Sequence, residues 1–488
     1  MPRCVFSAES PARVRADVLV LPVFKGPRPG PDVKEIGLDS AYRAARLTGK
    51  KGESLLIPRR PGDDFAAGAA LLVGLDEEKE FTVSALRKAH GRVATTLARF
   101  GSVATALPLA LDGEDAVQAA TEGLVLGGYR FDRYKTEEKE DRPKGFAKAI
   151  VLGGVEPKRG RAAVRRGEVI ADAVSWARDL VNTPAGDMPP AQIARETQKM
   201  AKEVGLTCKI WSEAELKRGG FGGILGVGAG SVNPPRLIEL TYKGAGNARP
   251  VALTGKGVSF DSGGLSIKDA KGMESMKDDM GGAASVLGAM KAIAALKPSV
   301  NVIAAVPSSE NMPSGAAAKP GDVLRHRGGK TSEVLNTDAE GRLILADALA
   351  YLAEKKPTAI VDAATLTGAC MVALGDEITG AFGNDDDLVA QIRAAGDAVG
   401  EPVWQLPLWR DYKPQIESAV ADVRNIGNRY GGAITAALFL AEFVGDTSWV
   451  HLDIAGPVFS EKGNELGPKG ATGVPVRMLV RYVLDRAS

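Results

Sequence analysis

Short apolar runs alternate with longer helical patterns along this 488-residue chain, and this alternation restricts the fold more than any other feature. In the first third of the chain the runs lie at 17–24, 54–58, 69–75, 105–111 and 148–154. Almost continuous apolar strands of this kind are typical of a mostly parallel sheet that helices cover on both faces. The pattern therefore predicts an α/β fold.

The alternation resumes after Pro190. Strands are predicted at 206–211, 237–243, 251–260, 301–307 and 358–366, and helices at 281–297 and 341–355. We therefore expect two α/β domains, a smaller N-terminal one and a larger C-terminal one with a mostly parallel central sheet.

A charged segment at 130–148 marks the region between the two domains. Apolar positions with helical spacing follow from Arg161 to Asn182, where Thr183-Pro184 ends the pattern. We predict an N-terminal domain at 1–160, a linking helix at 161–182 and a C-terminal domain at 183–488.

The composition excludes several classes of protein. The 62 Lys and Arg residues nearly balance the 60 Asp and Glu residues, so no global field attracts nucleic acid or anionic lipid. A disulfide framework or a CxxC zinc site is not expected, because the three cysteines are far apart in sequence: Cys4, Cys208 and Cys370. With only three histidines, any metal site must depend mostly on carboxylates.

No export signal or membrane span is expected. Charged residues and Pro2 interrupt any apolar core that a signal peptide would need near the N-terminus. The longest weakly apolar stretch, 358–375, contains Asp362 and several threonines, which a lipid-exposed helix tolerates poorly. We expect a cytoplasmic protein with no membrane partner.

One segment with candidate chemistry runs from Gly255 through Lys268 and continues to Asp279. A predicted strand ends there in Asp261, and the glycines that follow allow a sharp turn at the carboxyl edge of the sheet, where open α/β sheets bind ligands. The alternative is that Asp261 and Asp279 are only turn and helix-cap residues.

A second segment, NTDAEGRL at 336–343, carries Asp338, Glu340 and Arg342 at alternate positions. In an extended conformation these side chains point the same way, so two carboxylates and a guanidinium would converge. The structural alternative is a helix capping box made by Thr337 and Glu340, with Arg342 as a surface charge.

Four close carboxylates repel each other unless cations neutralise them. Two divalent metals about 3.5 to 4 Å apart would do so, with one acid bridging them. Oxygen ligands suit Mn²⁺ and Mg²⁺, and they also suit Zn²⁺ when an amine nitrogen completes the ligand set. Lys256 could supply this amine if its pKa falls sharply. Otherwise Lys256 is a buried charge partner of Asp261.

Five motifs, in this order and spacing, resemble the leucyl aminopeptidase (cytosol aminopeptidase) family: GKGVSFDSGGLSIK, MKDDMGGAASV, NTDAEGRLILADAL, DAATLTGA and HLDIAGP. The resemblance covers about 170–488. The N-terminal domain resembles the family only in size, α/β character and the segment EGLVLGGYRFDRYK.

The resemblance implies a metal-dependent exopeptidase that releases unblocked, preferably leucine-like, N-terminal residues from peptides through a water activated by two metal ions. It implies two Mn²⁺ or Zn²⁺ ions per subunit. Asp261 and Glu340 would bridge them, Asp338 would complete the more exchangeable site, and Lys256 and Asp279 the tighter one.

The same resemblance implies two catalytic residues that are not ligands. Arg342 would hold a bicarbonate ion that acts as general base, and Lys268 would stabilise the oxyanion of the tetrahedral intermediate. The resemblance also implies five residues that would bind the first residue of the substrate: Met276, Thr365, Leu366, Gly368 and Ala455.

The partners implied are peptides with a free N-terminus and other copies of the chain, in a homohexamer whose sites face an interior cavity. Nucleic acid is not expected, although a DNA-binding architectural role stays open through the basic cluster Lys158, Arg159, Arg161, Arg165 and Arg166. A two-metal phosphoesterase is a third hypothesis, with no motif behind it. Asp278 either adds negative charge near the site or points away, and His451 is expected to be structural.

Overall fold

The chain divides into two compact units, which we describe separately. The computed structural model describes residues 2–26, 28–30, 36–38, 41, 44–136 and 145–487, so part of the charged segment, 137–144, lies outside the described residues. The first unit comprises Met1–Asp172 and Lys462–Lys469, and the second comprises Ala173–Glu461 and Gly470–Ser488.

The division falls inside one helix, Pro157–Asn182, which begins four residues earlier than the predicted linking helix. Proline is tolerated at a first helical position, and the Glu156 carboxylate accepts hydrogen bonds from the main-chain N–H groups of Lys158 and Arg159. The domain limits at 160 and 182 remain predictions, because the chain has no break here at which to place them.

The described strands of the first unit are β1 Arg3–Ser7, β2 Val18–Phe24, β3 Arg28–Pro29, β4 Ser54–Pro58, β5 Ala69–Gly74, β6 Ser102–Thr105 and β7 Lys148–Leu152. These seven strands make one sheet in the order β1-β7-β6-β2-β5-β4, with β3 paired to β2. Pairing is parallel except at β3 and β4. Strands β2 and β5 are buried along their whole length, as a sheet covered on both faces requires.

The described helices of this unit are α1 Val83–Leu97, α2 Glu114–Gly127, the start of α3 Pro157–Asn182, and the 3₁₀ helices Glu78–Glu80 and Leu107–Ala110. The predicted strand at 105–111 is therefore wrong beyond Thr105. Pro108 has no N–H group to donate to a ladder, and the chain turns into the 3₁₀ helix instead.

The short segment Lys462–Lys469 also belongs to the first unit. Its Glu465 carboxylate lies 3.0 Å from Nζ of Lys51, and Leu466 is buried. A Cβ atom at Gly91 of α1 would meet the carbonyl oxygen of Glu465 at 2.0 Å, so this helix position needs glycine for the segment to pack there.

The described strands of the second unit are β8 Thr207–Trp211, β9 Arg236–Lys243, β10 Val251–Gly255, β11 Gly257–Asp261, β12 Asn301–Asn311, β13 Val323–Arg325, β14 Thr331–Glu333, β15 Ala359–Ala364, β16 Thr379–Gly383, β17 Val403–Gln405, β18 Val423–Arg424, β19 Trp449–Asp453, β20 Phe459–Ser460 and β21 Gly470–Ala471. Nine of them make the main sheet, in the order β17-β16-β19-β15-β10-β12-β9-β8 with β11 paired to β12. The central strands β19, β15, β10 and β12 are parallel, and antiparallel strands lie toward the edges. The prediction of two α/β domains, the larger with a mostly parallel central sheet, is confirmed.

After α3, the α-helices are α4 Pro190–Val204, α5 Glu213–Gly219, α6 Gly222–Gly228, α7 Ala270–Met273, α8 Gly281–Leu296, α9 Gly341–Glu354, α10 Gly368–Leu374, α11 Asp386–Val399, α12 Gly432–Ala441 and α13 Val476–Asp485. Short 3₁₀ helices occupy Ala185–Asp187, Met276–Met280 and Arg410–Ile416. Helices α8 and α9 are buried on almost every side. No helix in the described ranges combines the length and apolar character that crossing a bilayer requires.

The predicted strand at 251–260 is split in two at Lys256. The Lys256 N–H group donates to the Ala363 carbonyl of β15, while its own carbonyl accepts from the Ala283 N–H group of α8. After this residue β11 pairs with β12 alone among the described strands. The break turns the Lys256 side chain toward the edge where the parallel strands end.

Candidate active site

The predicted site residues of the second unit lie at the carboxyl ends of its parallel strands. Asp261 is the last residue of β11, Thr365 follows β15 directly, and Ala455 follows β19 by two residues. Parallel strands end at one edge of a sheet, so separate stretches of the chain meet there.

Three of the predicted ligands form a compact acidic cluster. Asp261, Asp338 and Glu340 each offer a carboxylate oxygen, and these oxygens all lie within 4.8 Å of one another. Asp261 and Glu340 are buried, and Asp338 is partly exposed. A cluster of this kind needs positive charge beside it to be stable.

Lys256 supplies part of that charge. Its Nζ atom lies 2.7 Å from Oδ1 of Asp279 and 2.8 Å from Oε1 of Glu340, and it donates to the Thr365 carbonyl oxygen at 3.0 Å. Its close charge partners are thus Asp279 and Glu340, with Asp261 farther off. Burial opposes the charge, but the attraction of these carboxylates raises the pKa of Lys256 above its ordinary value.

Lys268 is the second cation of the site. Its Nζ atom lies 2.9 Å from Oδ2 of Asp261 and 2.5 Å from Oδ1 of Asp338, so it bridges the two acid-bearing segments. Burial works against its charge, yet the attraction of Asp261 and the hydrogen bond to Asp338 raise the pKa of Lys268. Its side chain is 18% exposed and so can be reached from solvent.

The charge of the cluster is incompletely compensated. Within the described part of the chain, neither Oδ2 of Asp279 nor Oε2 of Glu340 has a hydrogen-bond partner, although both atoms are buried. Burial raises the pKa of both carboxyls, and the neighbouring acids raise it further. Buried, unpartnered carboxylate oxygens are hard ligands, so the residues present fit divalent cations.

A lysine amine can bind a metal only when it is neutral. In the protein without cations, the raised pKa of Lys256 keeps this amine protonated at neutral pH. Divalent cations beside Asp279 and Glu340 would take over the role of the ammonium group. They would therefore shift the pKa of Lys256 downward.

The capping-box alternative for Thr337 and Glu340 is wrong. Glu340 is itself the N-cap residue of α9, and its side chain makes no capping hydrogen bond in the described structure. The Thr337 hydroxyl instead donates to the Gly263 carbonyl and accepts from the Ser266 N–H group. Helix α9 begins at Gly341, where a Cβ atom would lie 2.5 Å from the Lys256 side chain, so glycine lets the helix start against that lysine.

Arg342, at the second position of α9, is buried rather than a surface charge. One Nη1 hydrogen bond of 2.7 Å runs to the main-chain carbonyl of Asn425, whereas Nε is buried with no acceptor among the residues described. Burial lowers the pKa of Arg342 to about 10, against the attraction of Glu340 and Asp453, so the guanidinium is still charged at neutral pH.

Two asparagines of the site were missed by sequence reasoning. Asn311, at the end of β12, donates from Nδ2 to Oδ1 of Asp261 at 2.7 Å and to the Thr337 carbonyl at 2.9 Å. The second is Asn425, after β18. No recognisable motif surrounds either residue, and only their positions at the carboxyl ends of strands could have suggested a role.

The residues predicted to bind substrate lie around Asp279 and Asp453. The Thr365 hydroxyl donates to Oδ1 of Asp279 at 2.8 Å, and the Leu366 and Ala455 N–H groups donate to Oδ1 of Asp453 at 3.3 and 3.2 Å. Asp453 lies in the motif HLDIAGP, and the sequence predicts no role for it. The two remaining residues lie at the first positions of the 3₁₀ helix 276–280 and of α10: Met276 and Gly368.

Asp278, whose direction the sequence left open, lies inside the protein and is 8% exposed. Burial raises the pKa of Asp278 to about 7, while Lys256 and Lys277 act in the opposite direction. His451 is fully buried: its Nδ1 atom lies 2.6 Å from Oδ1 of Asp362, whereas its Nε2 atom has no hydrogen-bond partner among the described residues, so its structural role stays a prediction.

The basic cluster at the start of α3 is partly neutralised. Arg159 donates to the Glu114 carboxylate, and Arg166 donates to Glu114 at 2.7 Å and to Gln118 at 3.1 Å. With these charges paired inside the unit, the DNA-binding hypothesis gains no support.

Comparison with known proteins agrees with this geometry. Residues 175–480 match the catalytic domain of the cytosol aminopeptidase family, and residues 20–138 match its N-terminal domain. A probable cytosol aminopeptidase of Geobacter sp. (strain M21) is 47% identical over 443 residues, covering 90% of this chain and 89% of the relative. One from Syntrophotalea carbinolica is 44% identical over 485 residues, covering 96% of each.

Two solved structures are similar over almost their whole length. The bottromycin maturation enzyme BotP, in complex with Mn, has a TM-score of 0.87 and 36% identity, covering 97% of this chain and 100% of BotP. A mutant of tomato leucine aminopeptidase has a TM-score of 0.86 and 34% identity, covering 99% of this chain and 97% of that one.

The fold and the buried acids define a metal-dependent hydrolase of peptides. The chain belongs to the cytosol aminopeptidase family.

Proposed function

We propose that this aminopeptidase releases unblocked, leucine-like N-terminal residues from peptides and uses two divalent cations, Mn²⁺ or Zn²⁺, in each subunit. The observation that carries the proposal is the cluster of buried Asp261 and Glu340 with partly exposed Asp338, which lies beside unpartnered carboxylate oxygens and two lysines. Manganese is bound in the similar BotP structure, which supports the choice of metal.

The proposed ligands divide between two positions. Asp261 and Glu340 would bridge the cations, Asp338 would complete one position, and Lys256 and Asp279 the other. When bound, the cations supply Lewis acidity and lower the pKa of a coordinated water. Asn311 keeps Asp261 oriented through its 2.7 Å hydrogen bond.

Lys268 and Arg342 act on the reacting groups. The Lys268 ammonium donates to Asp261 and Asp338, which places a positive charge at the edge of the cluster, where the oxyanion of the tetrahedral intermediate would develop. Arg342 has a buried Nε–H without an acceptor within the described chain, and a bicarbonate ion would satisfy it and serve as general base.

The requirement for a free N-terminus would come from Asp279. Its Oδ1 atom is occupied by Thr365 and Lys256, whereas Oδ2 is buried without a partner in the described structure. Since Oδ2 is also the oxygen offered to a cation, the unblocked amine of the substrate would bind at that cation and face Asp279, and an acetylated nitrogen, whose lone pair is delocalised into the carbonyl group, would not. The apolar side chain of Met276 favours a leucine-like first residue.

The proposal extends to the assembly and the compartment. We expect a homohexamer, and sedimentation velocity would test this through a particle mass six times the 51.0 kDa of the chain. The name cytosol aminopeptidase, which relatives bear, supports a cytoplasmic location.

The decisive experiment compares leucine p-nitroanilide with its N-acetyl counterpart, before chelation, after it and after addition of Mn²⁺ or Zn²⁺. We expect cleavage of the unblocked substrate alone, lost on chelation and restored by metal. Equal cleavage of the blocked substrate, or activity that survives complete removal of metal, would overturn the proposal.

A further inference from the structure

Asn425 is a polar side chain in the protein interior, with 0% exposure, directly after strand β18. Its Oδ1 atom accepts from the N–H groups of Leu335 at 2.9 Å and Asn336 at 3.3 Å. Its Nδ2 atom donates to the carbonyl oxygens of Asn336 at 2.7 Å and Ala339 at 3.2 Å. Four hydrogen bonds use the full ordinary capacity of the amide, so this orientation is strongly preferred.

These four bonds all end on the segment 335–339, which carries Asp338 and leads directly into Glu340. The segment has no regular structure, so its buried main-chain groups need partners from elsewhere. Asn425 supplies them at both ends of the segment, and thereby fixes its path across the site.

The main chain of Asn425 acts on a different group. Its carbonyl accepts from Nη1 of Arg342 at 2.7 Å, and its N–H group donates to the Glu333 carbonyl of β14 at 2.9 Å. The residue is therefore anchored to a strand while its carbonyl sets the direction of the guanidinium. Nε of Arg342 has no acceptor within the described ranges, so its orientation depends heavily on this bond.

We propose that Asn425 is a positioning residue, which keeps Arg342 in register with the segment that carries Asp338 and Glu340. Its amide holds the acidic segment and its carbonyl holds the guanidinium, so one residue sets the relation between them. The inference rests on the proposed aminopeptidase function, and it adds a residue that contacts neither substrate nor metal.

The test uses Asn425→Ala and the milder Asn425→Ser, with Asn428→Ala as a matched control. Asn428 lies in the same loop but its side chain is exposed. Loss of a residue that orients ligands commonly costs about 10- to 100-fold in activity. We expect a kcat loss of that size for Asn425→Ala, a smaller one for Asn425→Ser and none for Asn428→Ala, with little change in KM.

A second measurement does not depend on activity. Hydrogen–deuterium exchange should accelerate at the Leu335 and Asn336 amides in both Asn425 variants, and not in Asn428→Ala. This readout decides whether Asn425 holds the segment even if the wild-type protein fails to cleave leucine p-nitroanilide. In that case the proposed function fails separately.

Asn425→Ala removes the amide but keeps the main-chain carbonyl that binds Arg342, so its combination with Arg342→Ala tests whether the four amide hydrogen bonds hold that carbonyl in place. If Asn425 acts through Arg342, the kcat loss from Asn425→Ala shrinks in the absence of the arginine. Losses that multiply independently would overturn this link. Unchanged kcat and exchange in Asn425→Ala and Asn425→Ser would overturn the whole inference.

Discussion

Two buried glutamates, Glu122 in the first unit and Glu340 in the second, differ in how their charge is compensated. In the first unit, Nε of Arg87 lies 2.6 Å from Oε2 of Glu122, and the Gln118 amide donates to the other oxygen at 2.8 Å. In the second unit, Glu340 is equally buried, yet Oε2 lacks a hydrogen bond from any residue in the described structure. Both carboxylate oxygens of Glu122 have hydrogen-bond partners, whereas Oε2 of Glu340 is still available to bind a cation.

A protein can bury a carboxylate for either of two reasons. A structural carboxylate finds its partners during folding, since an unpartnered buried charge is costly. A carboxylate that binds a metal keeps one oxygen without a hydrogen bond in the folded protein. The neighbouring strands and helices hold it in place despite the cost of that unpartnered oxygen. Unpartnered oxygens are therefore a better indication of the active site than acidity alone.

The largest effect is expected from Glu340→Gln. A neutral amide cannot replace a bridging carboxylate, so activity should fall by more than the about 100-fold that loss of an outer partner can cost. Calorimetric titration should show weaker Mn²⁺ binding. Retention of both activity and Mn²⁺ binding would show that Glu340 is not a ligand.

The same kind of substitution in the first unit, Glu122→Gln, should lower the stability of the protein and leave its activity unchanged. Breaking a buried ion pair costs about 3–5 kcal/mol in the free energy of unfolding, which urea denaturation would measure. The kcat of the folded protein should not change. A lower kcat in a fully folded Glu122→Gln variant would show that Glu122, like Glu340, contributes to activity.

Next in size are Lys268→Ala and Arg342→Ala. Each should lower kcat by about 10²- to 10³-fold, the range for loss of one group that stabilises developing charge. Since neither residue is a proposed ligand, metal analysis of the purified variants should still find bound cations. Loss of both metals in either variant would mean that a ligand has been misassigned.

The last effect is a change of stability with pH, and it concerns His90 of the first unit. Its Nδ1 and Nε2 atoms lie 2.9 Å from the Leu86 carbonyl and 2.8 Å from the Thr105 hydroxyl, and burial lowers its pKa to about 4. The folded state therefore resists protonation. Stability is present above pH 6.5, the ordinary pKa, and should fall by about 1.4 kcal/mol per pH unit as pH drops from there toward 4.

Comparison of wild type with His90→Gln isolates this contribution from those of the many carboxyl groups. The variant should lose less stability over the same pH range in urea denaturation. Parallel stability curves between pH 6.5 and 4 would show that His90 does not titrate as its burial requires.

Much of the fold could be predicted because strand burial leaves a clear pattern. Strand β2 is an uninterrupted apolar run, β12 contains one at 302–307, and β15 has a single polar residue, Asp362; each of the three strands is buried along its whole length. Local rules were weaker where a proline intervened, as at Pro108. They also missed the break at Lys256, which depends on tertiary hydrogen bonds to Ala363 and Ala283.

The acids of the site were visible at strand ends, but their partners were not. Thr337 and Glu340 have the spacing of a capping box, yet tertiary contacts give each a different role. Asn311 contacts Asp261, 50 positions away, and Asn425 contacts residues 83 to 90 positions away, so no local sequence pattern could predict these contacts. The ligands proposed for the cations remain predictions, to be decided by the experiments above.

The segment Lys462–Lys469 affects how the gene could be shortened. An expression fragment that starts at Ala173 would still encode these eight residues of the first unit, including the buried Leu466. Without Gly91 and its helix, that leucine would be exposed to water and Glu465 would lose Lys51. A minimal catalytic fragment would therefore need a redesigned loop at 462–469 as well as a new N-terminus.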